Sequence, residues 1–152
     1  MSAPSPFTEP VPATPDPLGL VAAAVPLGIL VGLLLVTATV LVVTLLRDVA
    51  IAAPAPAADL RSSPAFYVLV GGTFASAFFA ATAVWFSLAP ITNTYRRAMF
   101  SLVSAFATIV VMLVAAPVHA AFGRPGLIGL ALVCVAGITL LARRVFRIRA
   151  LA

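Results

Sequence analysis

Charge is what this chain has least of. Only 9% of its 152 residues are Asp, Glu, Lys or Arg, against 63% hydrophobic. A water-soluble domain of this length needs a charged surface, and these residues cannot supply one. Lysine is absent, so all nine basic residues are arginine, and acidic residues number four. Cysteine occurs once, at Cys134, which excludes an internal disulfide and a cysteine-pair metal site and leaves a small packing residue. Histidine also occurs once, at His119. No Ser-His-Asp set can be assembled around it, because no carboxylate falls within an apolar block. No internal repeat is visible, which argues against an inverted-repeat transporter.

The chain has long apolar blocks instead, each near or above the roughly 20 residues that cross about 30 Å of hydrocarbon. They predict an all-α, polytopic membrane protein with four transmembrane helices in an antiparallel bundle. The expected spans are 18–46, 64–89, 95–118 and 125–142, within a transmembrane domain covering 18–146. A Pro-rich tail (1–17) precedes them. Pro4, Pro6, Pro10, Pro12, Pro15 and Pro17 make it extended or disordered. It lacks the basic start of a signal peptide, so it is expected to be retained. A basic tail (147–152) follows.

Punctuation residues set the expected boundaries. Asp16-Pro17 resembles a helix cap followed by proline at the first helical position. Pro26 is expected to kink the first helix, which is otherwise longer than a bilayer. Residues 47–63, with Pro54 and Pro56, form the longest connection and should be a surface loop. The turn 90–95 is short and makes the second and third helices a hairpin, with Asn93 or Thr94 as cap. A second tight turn is expected at 119–124.

The arginines give a direction. With both termini inside, Arg96, Arg97 and the four C-terminal arginines are cytoplasmic, and the positive-inside rule favours that threading across a bacterial inner membrane. Arg96-Arg97 and Arg143-Arg144 then serve as topological anchors or contacts for anionic lipid. No basic stripe is interleaved with aromatics, so nucleic acid is not an expected partner. The expected partners are the lipid bilayer and other membrane subunits.

Each span carries small residues at helical spacing, where a neighbouring backbone can approach. These are Gly28 and Gly32; Gly72, Ser76 and Ala80; Ser101, Ala105 and Thr108; Gly129 and Gly137. The second helix presents Phe74, Phe78 and Trp85 on its other side, a face available to a partner or to lipid. Apart from Arg96-Arg97 at the mouth of the third span, the proposed spans contain no Asp, Glu, Lys, Arg or His. Proton relays and intramembrane catalytic sites usually need such groups. The expectation is therefore a non-enzymatic accessory, scaffold or assembly subunit of a larger complex, such as a respiratory or photosynthetic one. The alternative is a small homo-oligomeric transporter or channel component for a neutral or lipidic substrate, using the Ser/Thr face of the third helix. No cofactor is expected. His119 is weighed as a haem or pigment ligand against an interfacial histidine facing headgroups, and the second reading is preferred.

Overall fold

The computed structural model describes residues 17–52 and 64–150, and all its regular structure is helical. The Pro-rich tail before Pro17, the loop residues 53–63 and residues 151–152 lie outside the described residues.

α1 spans Pro17–Ala52. It runs past Leu46 because nothing between Leu46 and Ala53 breaks a helix. Pro54 then disfavours helical backbone at the residue before it. Pro26 lies inside α1 and is exposed, and the helix continues through it. α2 spans Pro64–Ser87. It ends in a tight turn in which the Leu88 amide donates to the Val84 carbonyl at 2.9 Å, the Ala89 amide to the Phe86 carbonyl at 3.2 Å and the Ile91 amide to the Leu88 carbonyl at 2.9 Å. Asn93 then caps the next helix, its Oδ1 accepting from the Arg96 amide at 3.1 Å, the bond expected between an N-cap side chain and the third helical residue.

α3 spans Thr94–Ala150 but is two arms, 94–122 and 124–150, joined at Gly123 with φ 63° and ψ −151°. The turn expected over 119–124 is therefore a single-residue break. The first arm passes through Pro117 and continues to Phe122. Pro125 follows the break, where its missing N–H leaves no helical bond unmade. The second arm extends beyond 142 and 147 to Ala150, and Arg147 and Arg149 in its last turn are favourably placed against the helix dipole.

Among the described residues three segments are long and apolar enough to cross a membrane: Leu18–Arg47, Phe66–Ser87 and Pro117–Ala150. The expected span 95–118 is not among these three.

The helices meet through their small residues. A Cβ placed on Gly28 would lie 2.5 Å from Ser104 Oγ and 2.9 Å from the Ala80 carbonyl oxygen, and against Val84 Cγ2. One turn on, a Cβ on Gly32 would meet Thr108, at 2.8 Å from its Cβ. Gly72 of α2 faces Thr39 of α1, 2.6 Å from a Cβ to Oγ1, and Gly137 faces Leu30. At one end of the molecule the start of α1 (Leu20, Ala23, Ala24, Leu27), the end of α2 (Val84) with Leu88, and Val145 near the end of α3 close into a common apolar cluster.

Hydroxyls inside the apolar helices mostly bond within their own helix. Thr37, Thr39, Thr73, Ser76, Thr82, Thr108 and Thr139 each donate to the carbonyl four residues earlier, at 2.6–2.9 Å. That arrangement satisfies a polar group where no water is at hand.

Candidate functional site

The most differentiated surface lies where the turn after α2 meets both ends of α3. The last turn of α2 leaves carbonyl oxygens without an intrahelical amide, and these carry the negative end of the helix dipole. Two arginines supply donors. Arg97, in the first turn of α3, donates from Nη2 to the Trp85 carbonyl at 3.0 Å. Arg149, in the last turn of α3, donates to the neighbouring Phe86 carbonyl across 63 residues of sequence. The Arg97 guanidinium also lies over the Trp85 ring, 4.4 Å from its centroid, a cation–π contact.

The Nε atoms of both Arg97 and Arg149 are buried and have no hydrogen-bond partner. The chain's acidic residues are Glu9, Asp16, Asp48 and Asp59. The side chains of all four lie outside the described residues. Beside this end, an open apolar groove of about 430 Å³ runs between α1 and α2, lined by Val31, Leu35, Phe79, Thr82, Ala83 and Phe86. Phe86 thus contributes its ring to the groove and its carbonyl to Arg149.

The other residues singled out by sequence fall as follows. Gly28, Gly32, Gly72 and Gly137 sit at the helix contacts already described, and Ser76 and Ala80 are buried on the same side of α2 as Val84. Ser101, Ser104 and Thr108 are buried; Ala105 is half-buried. Thr108 bonds to the Ser104 carbonyl, whereas the Ser101 and Ser104 hydroxyls have no partner. Gly129 has nothing within 4 Å of where its Cβ would be. Phe74 and Phe78 are exposed, at 70% and 67%, while Trp85 is half-buried beneath Arg97. Arg96, Arg143 and Arg144 are exposed.

His119 is half-buried in the first arm of α3, and its Nδ1 has no hydrogen-bond partner. Among the described residues no three His, Cys, Asp or Glu side chains come together in a way that could hold a metal ion. The feature that sequence reasoning missed is Arg149. Its partner lies on another helix, and no local spacing points to it.

Helical throughout its described regular structure, and with three described segments long and apolar enough to span a bilayer, the chain is a helical membrane protein. Comparison with protein-family models, with curated proteins and with solved structures finds no match.

Proposed function

We propose that this protein is a non-enzymatic accessory, scaffold or assembly subunit of a larger complex in a bacterial inner membrane, built as four transmembrane helices in an antiparallel bundle. The order of the helix contacts supports the bundle. Gly28 meets Ser104 and Gly32 meets Thr108, so α1 and the first arm of α3 advance together. Gly28 meets Val84 while Thr39 meets Gly72, so α2 runs against them. Gly137 and Val145 approach Leu30 and the start of α1, so the second arm runs back as well. The first arm, 29 residues at about 1.5 Å each, is long enough for a crossing of about 30 Å. Four crossings place both termini on one side, and the arginine distribution favours the cytoplasm.

The observation that carries the scaffold reading is the division of α2 into two sides. Ser76, Ala80 and Val84 are buried against the rest of the fold, and Phe74 and Phe78 are left uncovered. Aromatic side chains bring large contact areas to helix interfaces. Phe78→Ala is expected to leave helix content and thermal stability unchanged and to reduce association with other subunits. Blue-native electrophoresis and stoichiometric co-purification from the native host check this. Only monomer in mild detergent, for the unaltered protein, would contradict the reading.

The transport reading relies on Ser101, Ser104 and Thr108. These side chains are packed against glycines of α1 or buried among neighbours rather than lining an open path. The scaffold reading is therefore preferred. Substrate-dependent flux in liposomes, altered by a bulky replacement of Ser104 without loss of fold, would reverse that preference.

A further inference from the structure

We propose that the Arg97–Arg149 pair and the adjoining α1–α2 groove form a binding site for one anionic glycerophospholipid. The headgroup phosphate is held between the two guanidinium groups, and an acyl chain lies along the groove. The site is independent of which complex, if any, the protein serves.

Arg97 and Arg149 donate to consecutive carbonyls of one helix, so the two cations converge to within about 10 Å, on the order of a Debye length. Partial burial weakens the screening that would otherwise make such proximity cheap. The carbonyl ends they cap offer only about half an elementary charge, less than two guanidinium groups require. Each Nε remains buried and without a partner, so the chain alone leaves both guanidinium groups incompletely satisfied. Guanidinium groups suit phosphate oxygens in both geometry and charge.

The groove supplies the apolar half of the site. Its six lining residues offer almost only carbon, and the Thr82 hydroxyl is turned inward to the Phe78 carbonyl at 2.8 Å. From Phe79 to Phe86 it extends roughly 10 Å along α2, at about 1.5 Å per residue, enough for a stretch of acyl chain. Phe86 stands at its end, with Arg149 on its carbonyl. Cationic head and apolar tail sites are thus adjoining parts of one helix end. An anion with a long apolar tail matches both, whereas free phosphate matches only the first.

Trp85 is the only tryptophan in the chain and touches Arg97, so its fluorescence reports on the site. The protein is reconstituted in phosphatidylcholine bilayers containing phosphatidylglycerol brominated on its acyl chains, or brominated phosphatidylcholine at the same mole fraction. The expected result is an apparent association about fivefold or more stronger for phosphatidylglycerol, given the usual gain per basic residue at an anionic surface. Arg97→Gln combined with Arg149→Gln should abolish that preference, and Arg143→Gln combined with Arg144→Gln should retain most of it. Arg149→Lys, which keeps the charge and loses the planar fork, should retain part of it and serves if the double variant fails to fold. Inorganic phosphate at millimolar concentration should not relieve the quenching.

The proposal is overturned by equal quenching from the two lipids, by a preference that survives loss of both Arg97 and Arg149, or by equal loss in the Arg143/Arg144 variant, which marks a diffuse basic surface. If Arg149→Lys matches the unaltered protein, the paired fork is not the site. Relief by inorganic phosphate would assign the site to the free anion. A preference that appears only after Glu9→Gln and Asp16→Asn would assign it to the chain's own carboxylates.

Discussion

Gly28→Leu is expected to abolish the monodisperse folded protein in mild detergent. At Gly28 three helices meet. The space its side chain would need is held by Val84 Cγ2, Ser104 Oγ and the Ala80 backbone carbonyl. A side-chain atom can rotate away, but a carbonyl within a helix moves only if the helix moves. Even Gly28→Ala therefore forces α1 and α2 apart, with an expected loss of about 1–3 kcal/mol, typical of an overfilled core. Leucine adds three further carbons at the same point and should exceed that range. In a bilayer the effect has no hydrophobic compensation, since helix association there depends on close packing rather than on escape from water. Gly71→Leu is the control. It lies in the same kind of apolar helix with nothing within 4 Å of its Cβ position, and leucine has the better helix propensity. Gel filtration and thermal unfolding followed by circular dichroism separate the two. Equal behaviour of the position-28 and position-71 variants would remove the packing account.

The second large effect is expected at Gly123. Its φ of 63° with ψ of −151° lies in a region that is essentially restricted to glycine, and any other residue there costs about 1–3 kcal/mol. Gly123→Val should cost the most, because a β-branched side chain tolerates positive φ least. The strain acts on one corner, so helix content should be nearly unchanged while the second arm of α3 loses its seat. Cys134, on that arm, is the only cysteine and is fully buried, which makes it a reporter. A membrane-permeant maleimide should label Cys134 slowly in the unaltered protein and several-fold faster in Gly123→Val, with a lowered Tm. Unchanged labelling with unchanged Tm would show that the corner does not fix the arm.

The helical class and the long apolar segments were legible in sequence because hydropathy and length decide them without reference to neighbours. The cap was legible for the same local reason as one of two neighbours, Asn93 or Thr94, and Asn93 makes the bond. Helix ends were less so. Between Leu46 and Ala53 and past Ala142 no breaker stands in the chain, and the helices simply continue. The corner at Gly123 shows the limit more clearly. The sequence offers Pro117, Gly123, Pro125 and Gly126 close together, and only the conformation chosen by the second arm's packing decides which one breaks the helix. Small residues posed the same difficulty. Gly32, Gly72 and Gly137 each have a side chain from another helix opposite them, while Gly129 has none. Periodicity on one helix cannot reveal what stands across from it. Arg149 was assigned to a basic tail, and only the folded chain brings it to the Phe86 carbonyl.

The central claim is that the chain crosses the membrane four times, with the first arm of α3 as one of the crossings. Single cysteines introduced at Thr92, Ala121 and Ala150, all exposed positions, test it in a Cys134→Ala background with a membrane-impermeant maleimide applied to intact cells. The account predicts that the residue-121 cysteine is labelled from outside and that those at 92 and 150 are labelled only after lysis. Labelling of 92 and 121 from the same side would show that the first arm does not cross and would contradict the account.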